Sequence, residues 1–294
     1  MEKKNAAMGK VSVIASMAIF GTIGLFVRFI PMSSSIIACC RGLIGTVFLL
    51  LLCLLTGVKL SKSAIRKNLV LLLVCGAAIG FNWILLFEAY RYTTVATATV
   101  CYYLAPVFVI LVAPLVGKGK LTPVRTVCAL VALLGMIPLS GVLGGEIQGA
   151  RGILCGVAAA ALYASVVLMN QFLKDISAYE RTVVQLFAAA VVLAPYVLLT
   201  EDLTAAFSVS TLALLMLLFV GIVHTGIAYW LYFGGLAKVN VQTAAIFSYL
   251  DPVVAIFLSA LVLKEEMGVW SVVGAVAILG ATLVSELFGN DKKV

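Results

Sequence analysis

Charged residues are scarce in this sequence. Only 11% of its 294 residues are charged, whereas 64% are hydrophobic, and the mean hydropathy is +1.20. A soluble globular domain has about a quarter of its residues charged and about half apolar. A soluble chain with this composition would lack the polar surface that has to face water. We therefore expect an integral membrane protein whose outer surface contacts the lipid bilayer.

The residues needed for metal, redox or nucleotide chemistry are also few. There is one histidine, and the seven cysteines are odd in number and match no zinc-ligand spacing. No Gly-x-x-x-x-Gly-Lys-Ser/Thr loop is present, so we expect no ATP hydrolysis by this chain. The acidic residues are too widely spaced for a clustered active site. We expect no cofactor, no metal site and no enzymatic activity.

Apolar runs of membrane-spanning length follow one another along the chain. A transmembrane helix needs about 20 apolar residues, and the alternating strands of a membrane barrel are absent. We predict an all-α integral membrane protein with ten transmembrane helices, forming a single transmembrane domain over residues 1–294. The ten runs are 10–30, 36–57, 68–90, 94–117, 123–142, 152–173, 179–199, 210–235, 239–263 and 267–288.

Basic residues predict the orientation of these helices. With the N-terminus in the cytoplasm, fifteen of the 20 Lys and Arg fall on the inner side and Arg41 falls inside a helix. This bias matches the positive-inside rule and explains the net charge of +8 without nucleic acid as a partner. We expect a multi-pass protein of the cytoplasmic (inner) membrane of a prokaryote, with both termini cytoplasmic. The four on the outer side are Arg28, Arg91, Arg151 and Lys264.

The sequence repeats itself at an offset of 146 residues. Residues 83–87 align with 229–233, and residues 103–107 align with 249–253, where both copies read Tyr-Leu-x-Pro-Val. Five helices, an odd number, separate the copies, so the second half is predicted to be inverted. We expect five-helix repeats over 9–142 and 151–288. Inverted repeats are typical of secondary transporters that work by alternating access, although a channel is also compatible with them.

The repeated segments resemble a known family. Residues 87–94 and 104–107 of the first copy, and 249–255 and 263–266 of the second, resemble EamA-type transporters of the drug/metabolite transporter superfamily. The resemblance implies a basket-like fold with a central cavity lined by helices one, three, four, six, eight and nine. It also implies export of amino acids and related metabolites by most members. The acidic residue usual after the proline-containing helix is Glu265 or Glu266.

Three ionisable residues at membrane depth are candidates for charge recognition or coupling. Arg41 is near the start of helix two, where it either snorkels and pairs or binds a substrate carboxylate. Glu88 either pairs with Arg91, three residues later, or acts as a proton-linked carboxylate at the cavity mouth. Asp251 is predicted near the midplane of helix nine, directly before Pro252. It suits proton coupling or ammonium recognition, with a structural hydrogen bond as the alternative.

Aromatic residues and the single histidine provide candidate walls for a substrate cavity. His224 is predicted either to bind substrate or exchange a proton, or to form a hydrogen bond with a neighbouring helix. Rings at this depth either stack on an organic substrate or only pack. Tyr103 and Tyr249 are the preferred pair, because the repeat relates them across the cavity. The aromatic candidates are Phe20, Trp83, Tyr102, Tyr103, Tyr163, Tyr229 and Tyr249.

Together these features predict a secondary transporter of small polar metabolites, with amino acids or their derivatives as the favoured substrates. Export is the favoured direction. Import, export of cationic drugs by the same fold, or a passive channel are the alternatives. The partners expected are a small-molecule substrate and the lipid bilayer. Gly76-x-x-x-Gly80 and Gly152-x-x-x-Gly156 indicate close helix packing, either inside the molecule or in a homodimer.

Overall fold

All regular structure in the described part of the chain is helical. The computed structural model describes residues 2–58, 60–117, 121–140, 143, 149–204, 208–236, 238–239, 244 and 247–288, with side chains from residue 7. Five of the fifteen basic residues predicted on the inner side lie outside these ranges, namely Lys59, Lys118, Lys120, Lys292 and Lys293. The helices are α1 (Glu2–Arg28), α2 (Ser34–Thr56), α3 (Lys62–Lys67), α4 (Leu69–Tyr92), α5 (Val95–Tyr102), α6 (Ala105–Val112), α7 (Pro123–Leu139), α8 (Ala150–Asn170), α9 (Ala178–Thr200), α10 (Thr211–Phe219), a π-helical segment (Val220–Ile227), α11 (Ala228–Leu236), α12 (Leu250–Leu261) and α13 (Val269–Phe288).

Eight helical spans are long and apolar enough to cross a membrane, and α7 and α12 are shorter apolar helices. The all-helical prediction is confirmed, and the number of ten membrane-spanning helices stays a prediction. The most exposed apolar side chains include Leu54, Leu115 and Leu199, each about four-fifths exposed. Such exposure of leucine indicates that lipid, rather than water, surrounds the helices.

Short polar side chains set the starts of several helices. Ser33 begins α2 by accepting a hydrogen bond from the Ile36 backbone, and Thr94 does the same for α5 from Thr97. Ser177 forms a reciprocal capping box with Glu180 at the start of α9. Each cap satisfies backbone N–H groups that have no partner in the first turn of a helix. The capped ends place the connections between spans.

Two spans are interrupted at positions that the repeat relates. The run predicted as one helix over 94–117 breaks at Tyr103 and Leu104, between α5 and α6. In the second half the chain makes a turn at Tyr249, and α12 starts at Leu250. The break follows from the prolines of the repeated motif, which lack an N–H for the preceding turn. Asp251 therefore lies in the first turn of α12, directly after this break.

Contacts between the spans come in matched pairs. The contact of α4 with α8 corresponds to the contact of α11 with α1. In the same way, the contact of α4 with α9 corresponds to the contact of the π-helical segment with α2. Helices α5 and α6 pack on α8, as α12 packs on α1. The remaining large contacts, α2 with α9 and α7 with α13, join helices in corresponding positions of the two halves. Each of these contacts between the halves thus has a counterpart formed by the equivalent helices.

The glycine motifs lie at internal helix contacts. A Cβ atom at Gly76 would lie 2.7 Å from the carbonyl oxygen of Gln185 in α9. A Cβ atom at Gly152 would lie 2.8 Å from the side chain of Thr93. Both motifs therefore let spans of the same molecule approach closely. They do not provide a free surface for a homodimer.

We expect Gly76→Ala to destabilise the protein. The added methyl group would meet backbone atoms of α9, which cannot rotate away, so the free energy of unfolding should fall by about 1–3 kcal/mol. Gly280→Ala in α13 is the matched control, because nothing lies within 4 Å of the position that its Cβ atom would occupy. Thermal unfolding in detergent measures both. Equal midpoints for the two variants would contradict the assigned packing.

Candidate functional site

Arg41 is buried between helices and does not reach the membrane interface. Its side chain is 3% exposed, and its Nε atom donates a hydrogen bond to the hydroxyl of Thr225, 3.1 Å away. The guanidinium lies over the ring of Trp83, 4.2 Å from its centroid, and 5.5 Å from that of Phe87. The ion pairs formed among the described residues do not include Arg41. The snorkelling interpretation is therefore wrong, and a buried cation remains without a carboxylate.

Asp251 provides the opposite charge. The hydroxyl of Tyr103 donates to the carbonyl oxygen of Ser248 at 2.8 Å and also lies within hydrogen-bonding range of the Asp251 carboxylate. Gly21 of α1 allows the backbone at Asp251 to approach, because a Cβ atom there would meet the Asp251 carbonyl oxygen. No lysine or arginine in the described ranges forms an ion pair with Asp251. The carboxylate is half-buried and has a tyrosine, not a cation, as its polar neighbour.

The two charges share a set of tyrosine neighbours. Arg41 interacts electrostatically with Tyr90, Tyr102 and Tyr229. Asp251 interacts with Tyr90 and Tyr102 as well. Arg41 and Asp251 form no ion pair with each other, so a buried cation and a half-buried anion act on the same tyrosines. We call these five residues the central cluster.

Tyr163 of α8 adjoins the central cluster. Its side chain is 42% exposed, yet its ring lies 5.5 Å from that of Tyr102 and within electrostatic range of Tyr229, Tyr232 and Asp251. These neighbours come from three other spans. Tyr163 therefore lies on the side of α8 that is directed toward the central cluster, and part of its side chain is exposed there.

The other predicted rings are brought together around the same region. Tyr103 and Tyr249, the pair preferred from the repeat, contact each other with ring centroids 5.9 Å apart. Phe20 of α1 contacts Tyr229 at 5.2 Å. Trp83 is 5% exposed and is covered by the Arg41 guanidinium. The seven aromatic candidates thus contribute to one region.

His224 connects two helices in an apolar surrounding. The hydroxyl of Thr22 and Nε2 of His224 form a hydrogen bond at 2.8 Å, and the same hydroxyl lies 2.8 Å from the carbonyl oxygen of Ile19. The imidazole lies against Phe26 and Phe219, with centroids 5.2 and 5.7 Å away. This is the helix–helix hydrogen bond predicted as one alternative. In the described residues, no group of three His, Cys, Asp or Glu side chains could hold a metal ion.

Glu88 lies at the end of α4, within a separate network. It accepts a hydrogen bond from Ser34 at 2.6 Å and pairs with Arg91 at 3.7 Å. The spacing of three residues therefore produces the predicted pair. A proton-linked role for Glu88 stays a prediction.

Glu265 connects several spans at the end of the bundle where Glu88 also lies. Its carboxylate pairs with Arg28 at the end of α1 and accepts from the backbone N–H of Val95 at 2.8 Å. It also accepts from Ser259 at 2.6 Å. Three spans meet at this one side chain. Of the two acids that the family resemblance indicated, Glu265 is the one engaged, whereas Glu266 is exposed.

Comparison with known proteins identifies the family. The sequence profile of the EamA-like transporter family matches residues 7–141 and matches again over residues 150–286. The chain belongs to the EamA-like transporter family. An EamA-like protein is a membrane transporter and not an enzyme, and relatives from Bacillus subtilis and Archaeoglobus fulgidus are also named transporters. The duplicated match agrees with the repeat read from the Tyr-Leu-x-Pro-Val segments.

Relatives extend over nearly the whole EamA-like chain. The uncharacterized transporter YxxF of Bacillus subtilis is 29% identical over 95% of this chain and 89% of its own. An uncharacterized transporter of Archaeoglobus fulgidus is 27% identical, covering 94% and 96%. Protein PecM of Dickeya dadantii is 27% identical over 76% of each chain. A protein crystal structure matches with a TM-score of 0.68 at 19% identity, covering 96% of this chain and 97% of its own, which shows a shared fold.

Several residues of this EamA-like site were not among the predicted ones. They include Tyr90 and Thr225, both buried beside Arg41, and Tyr232, which contacts Phe20 at 6.4 Å. Thr225 lies in the π-helical segment, a feature that sequence periodicity does not report. The signal available for Tyr90 and Tyr232 was their place on helices that carry other candidates.

Proposed function

We propose that this EamA-like transporter moves amino acids or closely related zwitterions as a secondary transporter. The observation that carries the proposal is a buried cation, Arg41, and a half-buried anion, Asp251, which flank shared tyrosines without pairing with each other. A substrate with a carboxylate and an ammonium group would provide a partner of opposite charge for each of these two side chains. Guanidinium groups suit carboxylates because their parallel N–H donors match the two oxygens.

In this proposal Asp251 binds the ammonium group or a proton, but not both. Because substrate and proton compete for the same carboxylate, a proton has to leave Asp251 before substrate binds. Substrate and proton are therefore transported in opposite directions. Tyr102, Tyr163 and Tyr229 would contact the substrate side chain through their ring faces. The position of Asp251 at the start of a half-helix supports this role, since discontinuous helices form substrate and ion sites in many transporters.

The matched helix contacts support inverted repeats over 9–142 and 151–288 that work by alternating access. The two breaks, at Tyr103 and Tyr249, stand at corresponding places of the repeats and contact each other. A rearrangement of one half against the other would therefore move both half-helices at the central cluster. A passive channel would not need this correspondence.

The proposed orientation has both termini in the cytoplasm of a prokaryotic cell, with transport outward. The distribution of Lys and Arg supports the orientation. The bacterial and archaeal relatives are consistent with a prokaryotic membrane. Import of the same substrates and export of cationic drugs are the competing functions, and Arg41 disfavours the second because it would repel a cation.

Counterflow in proteoliposomes tests the proposal. Vesicles containing the purified protein are loaded with one unlabelled amino acid at a time and exposed to a trace of the same labelled compound. We expect saturable accumulation for a subset of amino acids, and none for the matching amine or carboxylic acid. Accumulation of amines alone would favour a cation exporter, and flux without saturation would favour a channel. Either result contradicts the proposal.

A further inference from the structure

One face of α13 carries a second buried acid. Thr282, Ser285 and Glu286 are spaced by three and four residues and therefore share a face of the helix. Thr282 and Ser285 are 1% and 2% exposed. Glu286 is half-buried in the last turn of α13. The central cluster does not include any of these residues.

Three polar atoms of this region lack hydrogen-bond partners among the described residues. They are the hydroxyl of Ser285, Oε2 of Glu286 and the hydroxyl of Tyr249, and each atom is buried. Thr282 instead donates to the backbone of its own helix, at 2.9 Å from the carbonyl oxygen of Ile278. A buried polar atom without a partner is costly. Native proteins satisfy such groups with water, an ion or a ligand, or use them in proton transfer.

Among the described residues, no lysine or arginine pairs with Glu286. Its position in the last turn places it at the negative end of the helix dipole. A carboxylate enclosed without a cation costs more free energy than a neutral carboxyl group. A proton is therefore the ligand that this environment favours.

Tyrosines connect this acid with the central cluster. Tyr249 is within electrostatic range of Glu286, and its ring contacts that of Tyr103. Tyr103 in turn lies within hydrogen-bonding range of Asp251. The two acids are thus joined by the pair of tyrosines that the sequence repeat places at the helix breaks.

We propose that Glu286 is a second proton-binding site, which exchanges protons with the water at the end of α13 and communicates with Asp251 through Tyr249 and Tyr103. The inference deepens the proposed function, since it assumes that Asp251 releases a proton during transport. Asp251 gives its proton to the Tyr103–Tyr249 pair as Tyr249 gives one to the carboxylate of Glu286, so that both tyrosines end unchanged; the Glu286 carboxyl group then releases its proton to water and returns to the carboxylate. No other reactant is needed.

Among the described residues, few ionisable groups compete with Glu286. Tyr232 of α11 and Tyr249 interact with it electrostatically. Arg181 of α9 lies beyond Tyr232 and interacts with that tyrosine. From α7, which packs along α13, Arg125 and Cys128 are the ionisable residues of the first two turns. A pH-dependent spectral change at this end of α13 is therefore assigned to Glu286 or to Tyr249 by comparing substitutions at the two positions.

Infrared difference spectroscopy of the purified full chain in lipid tests this site without any substrate. Spectra recorded at about pH 5 and about pH 9 report protonated carboxyl groups by their C=O stretching band. We expect two buried components in the wild type, one lost in Asp251→Asn and the other lost in Glu286→Gln. Tyr249→Phe should shift the Glu286 component without removing it.

Glu266→Gln is the control, because it removes an exposed acid of the loop before α13. A Glu286→Gln spectrum identical to the wild type would overturn the proposal, provided that its melting temperature shows a folded protein. A band that disappears on adding sodium chloride at constant pH would also overturn it, in favour of a metal cation. Because no amino acid is present, failure here is distinguishable from failure of the counterflow experiment.

Discussion

Arg41→Gln is expected to reduce amino-acid counterflow by about 30-fold to 10³-fold. Removing one member of a buried charge pair typically costs about 2–5 kcal/mol, and each 1.4 kcal/mol corresponds to about a factor of ten. Glutamine still reaches Thr225 with a hydrogen bond but provides no charge for the substrate carboxylate. Initial rates of counterflow at several substrate concentrations measure the loss, which should appear mainly as a raised KM.

Two further variants separate charge from geometry at this position. Arg41→Lys keeps the charge but loses the planar group that stacks on Trp83, so we expect it to recover only a small part of the activity. Arg151→Gln is the matched control, because Arg151 is exposed and stacks on Tyr92 at the end of its span. Full activity of Arg41→Gln in a folded protein would show that the buried guanidinium only packs.

The spans and their duplication could be predicted from the sequence because both depend on local patterns. Apolar runs of about 20 residues have one stable arrangement in lipid, a helix that satisfies its own backbone. The Tyr-Leu-x-Pro-Val segments then located the pair Tyr103 and Tyr249, which contact each other in the structure. Proline also marked the interrupted spans, although the sequence alone did not indicate that both helices would restart there.

The partners of the polar residues could not be predicted in the same way. A membrane helix is apolar on all sides, so its sequence does not show which face meets another helix. Arg41 was therefore assigned to the interface by its short distance from the helix start, whereas rotation of α2 directs it to Thr225 and Trp83. Glu286 was overlooked for a related reason, since an acid at the end of a span resembles a solvated residue.

Asp251→Asn is expected to remove the dependence of transport on pH. In the wild type, a proton and the substrate ammonium group compete for the Asp251 carboxylate, so the KM for substrate should rise as pH falls. Asparagine does not titrate in this range, so the KM should be raised and the same at every pH, and a proton gradient should no longer drive net flux. Counterflow and gradient-driven uptake, each measured between about pH 5.5 and about pH 8.5, distinguish these effects.

Asp251→Glu and Glu266→Gln are the matched controls for this result. Asp251→Glu keeps a titratable group beside Tyr103 and should therefore keep the pH dependence, with lower activity because the carboxylate is displaced by one methylene. Glu266→Gln removes an exposed acid and should behave as the wild type. A wild-type KM that does not vary with pH would contradict competition at Asp251. If Asp251→Asn still responds to the proton gradient, the coupling role belongs to another acid, and Glu286 is the first to examine.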